Sequence, residues 1–110
     1  DMDNITTIHN LILEMRRGAI VLAVLSQLKY EQYGYSLMKS LADKGFEVEQ
    51  GTLYPLLRRL EEQGLLASDW RLEAARPRRY YVISLHGTKI LERLQNEWTS
   101  MVQTMQQLIS

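Results

Sequence analysis

The 110-residue sequence contains no cysteine, so structural disulfides, thiolate zinc sites and cysteine nucleophiles are excluded together. Its two histidines, His9 and His86, stand 77 positions apart, too few for a histidine metal cage without carboxylate help. No metal and no cofactor is expected. The longest apolar run, Ala19 to Leu25, is seven residues, against the roughly 20 needed to span a bilayer. The acidic start (Asp1, Asp3) and the lack of a small-residue cleavage site after that run argue against a signal peptide. A cytoplasmic protein without membrane contact is the expectation. Thirteen basic and thirteen acidic side chains leave a formal net charge of zero. Global basicity therefore gives no pointer to nucleic acid, and only the local placing of charge can. Catalytic constellations are missing too: there is no nucleophile–base arrangement, no phosphate-cradling glycine loop and no paired carboxylates. Glu61 and Glu62 are adjacent, so on a helix they diverge. No enzyme is expected.

What is present is an ordinary globular balance, 45% apolar and 24% charged. That suits one domain with a core that needs no covalent staples. The two ends carry the clearest periodicity. Leu91, Leu94, Trp98, Met101, Met105 and Leu108 step by three and four, an a/d pattern sustained over nearly three heptads. Ile5, Ile8, Ile12, Met15, Ala19 and Leu22 repeat the pattern near the start. After Gly18 that helix becomes apolar nearly all round and should enter the core. Two such stripes in so small a domain want a partner, and a homodimer through the first and last helices is expected. Its contacts would be Ile8, Leu91, Leu94, Trp98, Met101, Met105 and Leu108.

The middle of the chain divides at its glycines. Tyr33-Gly34-Tyr35 opens a short helix with Leu37, Met38 and Leu41 on one face, and Lys44-Gly45 closes it. In the next segment Leu53, Leu56, Leu57 and Leu60 share a face and Gly64 is the stop. Two helices of about ten residues joined by a turn make a helix-turn-helix. Pro55 should sit near the start of the second, where its missing N–H costs little; a start near Gln50 would instead cost one hydrogen bond. Beyond Gly64 the period falls to two. Leu66, Ser68, Trp70 and Leu72 alternate with polar neighbours, and Arg79-Tyr80-Tyr81-Val82-Ile83 has strand composition. Glu73 to Pro77 is expected as the hairpin turn, of unspecified type because no Asn-Gly occurs. Ser84 caps the last helix, with Gly87 early in it. The fold class expected is mainly α with a small β-hairpin: a winged helix-turn-helix over 1–85 and a dimerisation helix over 86–110.

Charge is concentrated where that layout would meet DNA. Arg71, Arg76, Arg78 and Arg79 against Glu73 leave +3 over nine residues of the hairpin. The second helix of the pair places Arg58 and Arg59 away from its leucines. Phosphates call for cations and hydroxyls at a helix end and a protruding loop, and base edges for Arg, Thr or Gln on the exposed helix face. Candidate DNA-binding residues are Tyr35, Lys39, Gln50, Gly51, Thr52, Tyr54, Pro55, Arg58, Arg59, Arg76, Arg78 and Arg79. Two competing readings exist. Arg58 and Arg59 could pair with Glu61 and Glu62 on a solvated face, or the winged helix could serve protein partners without effector sensing. Arginines on both helix and hairpin favour double-stranded DNA.

Together these strings resemble the PadR-type winged-helix transcription regulators. The resemblance runs from about Arg17 to about Trp98. Its markers are Arg17-Gly18, Tyr33-Gly34-Tyr35, Gly51-Thr52-Leu53-Tyr54-Pro55-Leu56-Leu57, Arg59-Leu60-Glu61, Arg76-Pro77-Arg78-Arg79-Tyr80-Tyr81 and Ser84-Leu85-His86-Gly87. The single C-terminal helix is similar to the compact branch of the family. Such membership implies a homodimeric repressor of an inverted-repeat operator, released by a small aromatic or drug-like effector at the dimer centre. Trp98, with Ile12, Met15 and Met101, is implied to line that effector site. Trp98 also fits a plain interface residue on its heptad position. The chain departs from the family pattern at Glu49-Gln50, where Ser and Pro are usual, so the recognition helix is expected to start differently. Trp70 and Tyr81 are expected to pack within the strands, and both histidines to sit at the surface or in caps.

Overall fold

The computed structural model describes all of residues 1–110. Its elements in order are α1 (Met2–Arg17), α2 (Ala19–Gln27), β1 (Gln32–Tyr33), α3 (Gly34–Asp43), α4 (Gln50–Glu62), β2 (Leu66–Glu73), β3 (Arg76–Ile83) and α5 (Leu85–Ile109). Gly18 divides the first helical stretch in two but keeps a right-handed helical backbone, φ −69° and ψ −30°. The division matters for burial. No residue of α1 is buried, whereas Val24 and Leu25 of α2 are fully enclosed.

Leucine dominates the core. Leu37 and Leu41 from α3, Leu53, Leu56, Leu57 and Leu60 from α4, and Leu91 from α5 close around the end of α2. Leu66 and Tyr81 bring the hairpin into the same cluster. The i, i+3, i+4 spacing of the α4 leucines makes this possible, since it puts all four on one side of the helix. Both helices of the central pair end in Schellman motifs. Gly45 (φ +90°) and Gly64 (φ +78°) adopt the left-handed conformation. Phe46 N–H donates to Leu41 O at 2.8 Å, and Leu65 N–H to Leu60 O at 2.9 Å. Ser84 caps α5 by accepting from Gly87 N at 2.9 Å. Gly87 is required there because a Cβ would lie 2.1 Å from Leu65 O.

Four expectations need correction. The wing is a three-stranded antiparallel sheet of order β1-β3-β2, not a lone hairpin, because Gln32 and Tyr33 pair with Tyr81 and Tyr80. The turn is only Ala74-Ala75. Glu73 already pairs with Arg76, and Leu72 with Pro77, so Pro77 belongs to the ladder. α4 begins at Gln50, which leaves Pro55 inside the helix rather than in its first turn. Lacking an N–H, Pro55 leaves the Gly51 carbonyl without its helical donor, on a face where both residues are exposed. Finally, the α5 stripe is split. Leu91 is 2% exposed in the core, with Leu94 packed against it, so the first turns of α5 serve the domain itself. Trp98, Met101, Met105 and Leu108 remain exposed.

Candidate nucleic-acid interface

The two-residue β1 and the start of α3 set Tyr33, Gly34 and Tyr35 against the wing, while α4 runs alongside. Between them lies a concave groove of about 650 Å³. Gln50, Tyr54 and Arg58 line it from α4, Tyr35 from α3, and Arg76, Arg78 and Arg79 from β3. Seven sequence-predicted residues thus converge on one concavity. Gly51, Thr52, Pro55 and Arg59 lie on the exposed sides of α4 outside it, and Lys39 on the exposed side of α3. Tyr54 is not wholly free: its ring rests on Gly34, where an added Cβ would stand 2.1 Å from Cε1. Tyr33, Trp70, Pro77 and Tyr81 also line the groove. Trp70 was expected to pack in the strand, yet it is 65% exposed. Its register opposite Arg79 sets the indole beside that guanidinium, 5.7 Å from ring centre to carbon. Tyr81 does pack, and burial pushes its phenol above the ordinary tyrosine range.

The electrostatics of the wing differ from a simple count of arginines. Every salt bridge in the molecule involves a wing arginine. Arg71 grips Glu31 at 2.6 Å and also reaches Asp69 at 3.3 Å. Arg78 pairs with Glu73 at 3.3 Å, and Arg79 with Glu61 at 2.7 Å. Tyr80 donates to the other Glu73 oxygen at 2.7 Å, which raises its phenol pKa. Arg71 stacks over Tyr80 and Arg78 over Tyr33, each near 4.5 Å, while the two tyrosines meet edge to face at 5.4 Å. Lys39, Arg58, Arg59 and Arg76 make no ion pair. The competing arrangement, Arg58 and Arg59 paired with Glu61 and Glu62, is not formed. An aromatic-walled groove flanked by unpaired guanidinium groups can hold phosphate and present donors to base edges.

Comparison with known proteins identifies the family. The sequence model of the Transcriptional regulator PadR-like family matches residues 21–93. The chain belongs to this PadR-like family. A transcriptional regulator of Mycobacterium tuberculosis is 42% identical over 69 residues, 62% of this chain and 64% of that protein's length. The crystal structure of a PadR family regulator from Eggerthella lenta superposes with a TM-score of 0.95 at 43% identity, covering 100% of this chain and 98% of that one. A PadR-like regulator from Bacillus cereus gives 0.78 at 29% identity, covering 88% and 97%. These PadR relatives are transcriptional regulators, not enzymes, and the winged-helix architecture is theirs. No helix here is long and apolar enough to cross a membrane.

The second set of candidates lies on α1 and α5, outside the groove. On α1, Ile8 (57% exposed), Ile12 and Met15 are open, as is Trp98 on α5 at 45%. Ile5, Leu11, Val102 and Ile109 widen the two exposed stripes. Burying one such aliphatic side chain is worth about 1.5–3 kcal/mol, so each stripe is apolar surface that a partner could cover. His9 lies on the exposed part of α1 and His86 at the exposed start of α5.

Proposed function

We propose that the protein is a homodimeric repressor that binds an inverted-repeat DNA operator through α4 and the wing. The observation that carries this reading is the groove, whose seven predicted lining residues come from three elements. Lys39, Gly51, Thr52, Pro55 and Arg59 would extend the contact along the exposed sides of α3 and α4. The α1 stripe and the second half of α5 (Trp98, Met101, Met105, Leu108) would form the dimer contact, with residues 86–110 serving both core and partner. In such a dimer the two α4 helices would enter successive major grooves about 34 Å apart, reading half-sites roughly ten base pairs apart. Trp98 and its mate, with Met101, Ile12 and Met15, would make a flat polarisable slot for a planar aromatic effector. Release of DNA then requires that the effector favour one subunit arrangement over the other.

Selection of bound duplexes from a random pool tests the reading, together with the mass of the free protein by sedimentation. An inverted repeat of that spacing and a mass of two chains are expected. A single chain in solution with no enriched repeat would overturn it.

A further inference from the structure

Arg79 is the least available cation of the wing. Its Nη2 donates to Glu61 Oε1 at 2.7 Å and its Nε to Ser68 Oγ at 3.0 Å. Ser68 Oγ in turn donates to Glu61 Oε2 at 2.6 Å, which closes a triangle. The guanidinium also sits between two rings, 5.4 Å from Tyr81 and 5.7 Å from Trp70. Both charged partners are about two-thirds shielded. A fork held by a carboxylate, a hydroxyl and two aromatic faces is well ordered, because hydrogen bonds between ionised groups are short and strong.

The triangle joins the end of α4 to both strands of the wing. Glu61 lies in the last turn of α4, Ser68 in β2 and Arg79 in β3. Beyond the core contacts of Leu66 and Tyr81, it is the polar tie between the recognition helix and the wing. Groups that read one DNA half-site together must keep a fixed separation, since misplacement loses base contacts while leaving phosphate attraction intact.

We propose that Glu61 is a specificity-positioning residue: by holding Ser68 and Arg79 it fixes the wing angle, so that helix and wing address one operator half-site in register. This rests on the DNA-binding reading above. Arg58 and Arg59 address base edges and Arg76 the phosphates, while Glu61 keeps helix and wing in register.

Affinities of Glu61→Ala and Glu62→Ala proteins for the selected operator and for a scrambled duplex test the proposal across a range of salt. Glu62 is the neighbouring exposed carboxylate and has no wing contact, so its removal changes charge alone. Both variants should bind scrambled DNA at least as tightly as the parent, because each loses a negative charge. Only Glu61→Ala should lower the operator-to-scrambled ratio, by about tenfold, the size of one good base contact. Simple loss of stability would weaken both affinities alike and leave the ratio unmoved. The conservative variant Glu61→Gln loses the same charge as Glu61→Ala but keeps an amide oxygen to accept from Arg79, and it should hold the ratio within about threefold of the parent. An unchanged ratio in Glu61→Ala would overturn the proposal, as would a folded Glu61→Gln protein whose ratio falls as far as that of Glu61→Ala. If the parent protein itself binds neither duplex, it is the DNA-binding reading that fails, and the two failures remain distinct.

Discussion

Gly34→Ala tests how closely the recognition helix is seated on α3. Gly34 is the first residue of that helix and is buried. It has no left-handed backbone requirement, so only space excludes a larger residue. A Cβ there would stand 2.1 Å from Tyr54 Cε1, 2.9 Å from Cζ and 3.0 Å from the hydroxyl oxygen. Carbon atoms in contact sit about 3.5–4.0 Å apart, so the ring must swing away or the helices must part. Forcing an extra methyl into a packed contact costs about 1–3 kcal/mol. Taken alone, the exchange of glycine for alanine in a helix favours folding by about 0.5–1 kcal/mol. The sign of the result is therefore set by Tyr54. Urea unfolding at fixed protein concentration should show Gly34→Ala destabilised by about 1–3 kcal/mol with an unchanged m value. In a Tyr54→Ala background the same substitution should be neutral or stabilising, giving a coupling of similar size. An equal loss in both backgrounds would refute the reasoning.

Three further outcomes are expected. Ala74 and Ala75 occupy the wing turn at φ 50° and 63°, the pattern of a type I′ turn. Ala74→Asn with Ala75→Gly should therefore raise stability by about 1–2 kcal/mol, seen as a higher thermal midpoint. Trp98→Ala should weaken the dimer by about 2 kcal/mol or more on sedimentation yet leave operator recognition in place. With Trp70 replaced by Phe, quenching of Trp98 by planar aromatic compounds that also shift operator affinity is expected, and quenching without that shift would leave Trp98 a packing residue. Alkaline pH should loosen the wing through Tyr80, whose pKa is raised chiefly by its hydrogen bond to Glu73. The folded value lies above the unfolded one, so this contribution is present below the unfolded pKa and lost as pH rises through the folded pKa. Tyr81 is raised as well, by burial, so Tyr80→Phe should remove one of two late phenolate transitions, and the loss of neither would assign them elsewhere.

Local chemistry made much of this fold legible in the sequence. The four α4 leucines, the two glycine stops and the Ser84 cap each act within about one helical turn, and each is where the pattern placed it. Long-range pairing was not legible. β1 is two residues long and acquires strand geometry only by pairing with Tyr80 and Tyr81, nearly fifty positions away. The turn at Ala74-Ala75 carries neither glycine nor asparagine, so nothing in its composition marks the left-handed pair. The start of α4 was ambiguous because Glu49, its N-cap, makes no capping side-chain bond. In α5 the heptad stripe indicated a face but not what covers it, and Leu91 went to the core while Trp98 did not. The candidate site divides the same way. Its residue types were visible, but Glu31 with Arg71 and Glu61 with Arg79 are contacts across 40 and 18 positions. Those pairings decide which arginines stay free.

The most direct test of the central claim is the salt dependence of binding to the selected operator, compared among Arg58→Ala, Arg59→Ala, Arg76→Ala and the parent protein. The logarithm of affinity should fall linearly with the logarithm of salt concentration, and Arg76→Ala should reduce that slope by about one on every sequence. Arg58→Ala or Arg59→Ala should cost about 1–3 kcal/mol on the operator and relax preference at one base position. Operator affinity indifferent to salt and to all three substitutions would contradict the account.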